Sequence, residues 1–216
     1  MLQTIGNDAL GDEYRNILKA FYGVLKSTDQ YLRFVFLTGV TKFGQVSVFG
    51  DLDQLNDISM DDCYAGICGI TNEEMEQNFH PDMEQFAVKG RTTYETIREK
   101  MHCMYGGYRF SQNMEEVYSP FSVLDTLGSQ TFCCHWSTTS ISTYLTKVLQ
   151  RSNFDTDRLE DAEVTELQLI DYCTKVENPV SVIYQSGYLT LKKYDECFDT
   201  YTLGFPNEEV KCACTK

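Results

Sequence analysis

The sequence predicts a mixed chain in three parts: α/β over residues 1–50, mostly α over 51–150, and a small α+β unit over 151–216. Three observations carry this. From Asp12 to Lys26, Tyr14, Ile17, Leu18, Phe21, Tyr22 and Leu25 recur at three- and four-residue steps, which gives a helix with one apolar face. The run Arg33-Phe34-Val35-Phe36-Leu37-Thr38-Gly39-Val40 has no polar alternation and reads as a strand covered on both faces. Late in the chain, Tyr188–Tyr194 and Thr200–Phe205 alternate on either side of the polar link Asp195–Asp199, as the two arms of a β-hairpin do.

The middle part reads as short helices joined by polar turns. Thr71-Asn72-Glu73-Glu74 is a capping box, with a helix expected to run to about Phe79. Thr92 to Met104 is a second helix, ended by Gly106-Gly107. Pro120 opens a third, to about Leu127, and Thr138 to Gln150 gives a fourth. The acidic stretch Asp155 to Glu166 reads as a solvated linker or helix face. Pro179 to Gln185 is a short helix, and Pro206-Asn207-Glu208-Glu209 starts another after the hairpin. Helix, hairpin, helix is the plan of a winged-helix unit.

Composition excludes several classes of function. There are 18 basic and 32 acidic side chains, a formal net charge of −14, which repels nucleic-acid backbones and anionic lipid. No apolar run approaches the roughly 20 residues that span a bilayer. The first residues lack the basic and apolar segments of a secretory signal, so a cytoplasmic location is expected. Nine cysteines is an odd count and fits reduced thiols better than a disulfide framework. Cys133-Cys134-His135 and Cys212-Ala213-Cys214 hold the atoms that ligate zinc but not the usual C-x(2–4)-C spacing, so no metal ligands are assigned.

Other motifs fall short of their chemistry. Gly39-Val40-Thr41-Lys42-Phe43-Gly44 has the two-glycine spacing of a phosphate loop. The Lys and Ser/Thr that should follow are Gln45 and Val46, so the cation and the metal hydroxyl are missing. Glu209-Val210-Lys211 mimics the E-x-K of metal-dependent nucleases, with Asp199 upstream, but its place after Pro206 favours a solvated helix start. His80, His102 and His135 are isolated and read as surface or packed residues.

Six ordered blocks carry a family resemblance. They are Phe36–Phe43 continuing through Val46–Phe49, Leu52–Ser59, Ile67–Thr71, Tyr118–Leu124, Tyr184–Thr190 and Leu203–Val210. The chain resembles the bacterial predicted AAA-ATPase-like family, whose full members join a P-loop ATPase module to a C-terminal PD-(D/E)XK nuclease-like domain. By this resemblance the chain is the middle piece. Residues 1–50 are the remnant of the ATPase core, 51–150 a helical lid, and 151–216 the winged-helix-like end. The resemblance places the phosphate-binding Lys loop and an Asp-Glu-Tyr-Asp strand upstream of Met1, and the nuclease-like domain beyond Lys216. It makes Thr38 a candidate sensor at a strand end and Lys42 a candidate phosphate-facing cation. One departure is Met104-Tyr105-Gly106-Gly107-Tyr108, where relatives carry Trp-Tyr-Asp-Gly-Tyr.

The functional expectation is a truncated AAA-ATPase-like protein, unable to hydrolyse ATP alone, because phosphate transfer depends on backbone amides, a Lys and Mg²⁺ acting together. The family's cofactors, ATP and Mg²⁺, are then not held by this chain. The alternative is an interaction module that docks on a partner carrying the missing ATPase core or nuclease domain, or that self-associates, through the edge of Phe34–Val40 and the lid surface. A winged helix contacting DNA through Lys192 and Lys193 is disfavoured by Asp195, Glu196 and Asp199 beside them.

Overall fold

The computed structural model describes residues 8–39, 55–113, 115–135, 159–170 and 179–214. Its first element is α1 (Asp8–Ser27), twenty residues long, followed by a 3₁₀ turn at Asp29–Tyr31. The expected strand over 33–40 does not form among its described residues. Residues 34–39 have no regular secondary structure, and Phe34 is 82% exposed. A strand needs a hydrogen-bonded neighbour, and none of the described strands pairs with this run. An unbroken apolar stretch thus signals a surface that seeks cover, not the cover itself.

The middle part is built on β1 (Ile70–Thr71), α2 (Asn72–Gly90), α3 (Tyr94–Tyr105), β2 (Val117–Tyr118) and α4 (Pro120–Ser129). The capping box is present in both directions: Thr71 Oγ1 accepts from Glu74 N–H, and Glu74 Oε2 accepts from Thr71 N–H. Helix α2 runs well past Phe79, through Pro81, to a left-handed cap at Arg91. An internal proline costs a backbone bond and about 3 kcal/mol. Met83, Phe86 and Ala87, all buried beyond it, offset that cost by packing with Ile97, Met101, Tyr105 and Val123. Strands β1 and β2 pair antiparallel, Ile70 opposite Tyr118, and tie the start of α2 to the start of α4.

The last part contains β3 (Glu163–Thr165), α5 (Glu166–Ile170), α6 (Val180–Gln185), β4 (Thr190–Asp195), β5 (Thr200–Gly204) and α7 (Glu208–Cys214). The hairpin β4–β5 forms where expected, with Tyr194 opposite Tyr201. Strand β3 corrects the reading of the acidic stretch as linker. Val164 turns into the core and opposes Tyr201, while Glu163 stays exposed, so alternation hides within a charge-rich run. The sheet order is β3-β5-β4, antiparallel throughout, with α5 and α6 between β3 and β4. The core of this part (Leu159, Ile183, Tyr188, Leu189, Leu191, Leu203, Val210) also takes in Tyr108 and Val117 from the helical part. Thr190 Oγ1 donates to Arg109 O and accepts from its N–H, which fastens the two parts together. The helix expected at 138–150 lies outside the described residues, and no described helix is long and apolar enough to cross a membrane.

Candidate functional site

The densest polar chemistry lies where α4, the run after it and α7 meet. Asn207 sets this up. Its side-chain amide donates to Gly106 O at 2.8 Å, and its Oδ1 accepts from Val210 N–H at 3.1 Å, so one residue caps α7 and pins it to the end of α3. The first turn of α7 therefore faces inward. Glu209, read from sequence as a solvated helix start, is fully buried. Its two oxygens accept from Ser122 Oγ (2.8 Å) and from the backbone N–H of His135 (2.6 Å).

Around that anchor sits His135, itself buried. Its Nδ1 lies 2.7 Å from Asp125 Oδ2 and its Nε2 lies 2.9 Å from Thr126 Oγ1. Cys133 Sγ stands 3.5 Å and 3.4 Å from the same two nitrogens. The backbone of Cys133 is clamped by the fully buried Tyr105, whose hydroxyl accepts from Cys133 N–H at 3.2 Å and donates to Cys133 O at 2.9 Å. Burial raises the Tyr105 phenol above its ordinary value, so the hydroxyl keeps its proton and its donor role. Asp125, Cys133 and His135 thus converge, with ligand atoms within 4.8 Å of one another.

A second feature is an open cleft of about 240 Å³ between the end of α3, β4 and the start of α7. Two of its lining side chains face acids: His102 contacts Glu116, and Lys211 Nζ lies 3.1 Å from Glu160. Lys192 donates to Pro206 O, and desolvation, then the Arg109 charge, lowers its basicity.

Of the residues picked from sequence, Thr38 is exposed and in no strand, so the strand end that would hold a sensor is not formed there. Lys42 lies outside the described residues. Asp199 sits in the hairpin turn, where its Oδ1 accepts from Tyr194, and Lys211 Nζ lies 3.1 Å from Glu160. Cys133 and His135 do meet, and they meet Asp125 and Ser122, which the sequence did not single out, and Glu209, which it read only as part of an E-x-K pattern. The C-x-H spacing was readable; a helix eight residues upstream and a carboxyl 74 residues downstream were not.

Comparison with known proteins gives two findings. Residues 1–49 match the family model AAA-ATPase_like, described as "Predicted AAA-ATPase". The chain is also 29% identical over 215 residues to "Uncharacterized protein in vnfD 5'region" of Azotobacter chroococcum mcd 1, an alignment that covers 99% of this chain and 39% of that protein. The chain therefore spans well under half the length of this relative. No solved structure matches. The similarity to the ATPase family thus falls on α1 and the segment after it.

Proposed function

We propose that these 216 residues are a non-hydrolytic portion of an AAA-ATPase-like assembly, and that α1 and the segment after it dock on the ATPase core that supplies the phosphate loop. One observation carries this reading: an apolar stripe lies open within the stretch similar to the family. Tyr14, Ile17, Phe21 and Val24 are 44%, 57%, 67% and 53% exposed, and they follow one another at 3-4-3 spacing along α1. That is the seam of a helix that packs lengthwise on another element. Phe34, Phe36 and Leu37 extend the apolar surface past the helix. Covering the exposed half of each such side chain is worth roughly 0.75–1.5 kcal/mol, so the stripe favours docking. The sequence holds no G-x(4)-G-K-(S/T), which supports the non-hydrolytic half of the reading. The antiparallel order β3-β5-β4 with two intervening helices supports a winged-helix plan for residues 159–214.

The test uses the chain with the P-loop core of a family member, the two co-expressed. The expected result is a 1:1 complex by light scattering, lost in the double variant Ile17→Asp, Phe21→Asp, and no heat of Mg-ATP binding to the chain alone by calorimetry. Micromolar Mg-ATP binding by the isolated chain would overturn the non-hydrolytic part. A homodimer that resists the core and dissolves in the same double variant would overturn the docking part.

A further inference from the structure

We propose that Asp125, Cys133 and His135 form a binding site for a divalent transition metal of the zinc class, with one coordination position open to solvent. The three donors are a carboxylate, a thiol and an imidazole, the set that zinc takes in proteins, and three protein ligands with one open place is the arrangement of reactive zinc sites. Their spacing fits. Metal–nitrogen and metal–sulfur bonds of about 2.0 and 2.3 Å put tetrahedral ligand atoms roughly 3.3–3.7 Å apart. Cys133 Sγ and His135 Nδ1 are 3.5 Å apart, and all three donors fall within 4.8 Å. Asp125 Oδ2 now lies 2.7 Å from His135 Nδ1, and a metal ion held by both moves them apart.

The surroundings hold these donors as a metal site requires. A ligating histidine uses its second ring nitrogen to bond a fixed neighbour, which sets the tautomer. Here Nε2 faces Thr126 Oγ1 at 2.9 Å. The backbone of His135 is fixed by the buried Glu209 and that of Cys133 by the buried Tyr105, so both ligands are placed before any ion arrives. Asp125 and Cys133 are exposed, which leaves the ion a way in. A cysteine nucleophile activated by His135 fits less well. Cys133 Sγ is within reach of both ring nitrogens, but each nitrogen has a closer oxygen, Asp125 Oδ2 at 2.7 Å and Thr126 Oγ1 at 2.9 Å. Thiol and imidazole bind a metal in their deprotonated forms, so loading such a site releases protons to solvent.

Cobalt(II) titration of the chelator-treated full chain tests this. The expected result is one cobalt per chain, the strong visible bands of a four-coordinate ion, a sulfur-to-cobalt charge-transfer band in the near ultraviolet, and displacement by zinc. Cys133→Ser removes the charge-transfer band, whereas Cys68→Ser, at an exposed cysteine elsewhere, keeps it. Asp125→Asn, an exposed change that leaves the fold intact, keeps the charge-transfer band and weakens binding at least tenfold. Absence of stoichiometric cobalt binding, a charge-transfer band that survives Cys133→Ser, or an affinity untouched by Asp125→Asn would each overturn the proposal. None of these outcomes depends on docking to an ATPase core, so the two readings fail separately.

Discussion

Glu209 offers the sharpest test of how the last helix is joined to the helical part. Replacing it with alanine removes the buried acceptor of the Ser122 hydroxyl and of the His135 N–H, although Ser122 Oγ keeps Ser119 Oγ at 3.2 Å. Loss of the acceptor at the His135 N–H costs about 1–3 kcal/mol and loss of the Ser122 bond about 0.5–1.5 kcal/mol, so the change costs about 1.5–4.5 kcal/mol. With a urea m-value of about 3 kcal/mol/M, the middle of that range lowers the unfolding midpoint by about 1 M. Glu209→Gln retains one oxygen for His135 N–H and offers an amide to Ser122 Oγ, so it recovers most of the loss. Glu208→Ala, at the exposed neighbour, changes stability by no more than about 0.5 kcal/mol. Equilibrium denaturation followed by tyrosine and tryptophan fluorescence reads all three. If Glu209→Ala and Glu208→Ala unfold at the same midpoint, the buried anchor is wrong.

Three further outcomes follow from the same geometry. Gly107 has φ of 82°, and a Cβ there would stand 2.1 Å from Pro206 O, so Gly107→Ala loses at least about 2 kcal/mol and lowers Tm by roughly 4–8 °C. Gly128→Ala, where nothing lies within 4 Å, leaves Tm unchanged or raises it in the same scan. The Tyr94 hydroxyl donates to Glu76 at 2.5 Å, and this bond, aided by Arg98 at 2.6 Å, holds the Glu76 carboxyl below its usual range. Desolvation and then Glu76 push Tyr94 up to about 12. The Glu76 contribution is present above its unfolded value and fades as pH falls, whereas that of Tyr94 is present below about pH 10 and is lost as pH climbs towards 12. Tyr94→Phe therefore flattens both slopes in denaturant midpoints taken across pH. Burial raises the Cys214 thiol to about 11, so limited alkylation at neutral pH followed by mass spectrometry labels the exposed Cys63, Cys68, Cys103 and Cys197 well before Cys214. Equal labelling of Cys214 would contradict that burial.

Local signals were read correctly where the chemistry itself is local. The capping box at Thr71, the Pro120 helix start and the Tyr194–Tyr201 hairpin depend on residues within a few positions of one another, and each forms at its expected place. Helix α2 outran its forecast because Met83 and Phe86 pack on α3, a gain invisible from within the helix. The apolar run at 33–40 was misread for the opposite reason. Its hydrophobicity is genuine, but a strand is a property of two segments, and the described residues hold no partner for it.

What the sequence determined alone was therefore periodicity, caps and turns, together with the lack of a Lys-bearing phosphate loop, since each of these is written in neighbouring residues. Only the tertiary structure decided that Glu209 is buried, that Val164 joins a sheet inside an acidic stretch, and that Asp125 meets Cys133 and His135. Burial and convergence arise when distant segments exclude water from one another. For Glu209 the decisive contact is the bond from Asn207 to Gly106 O, which pins α7 to α3 across 101 residues and which no local pattern records.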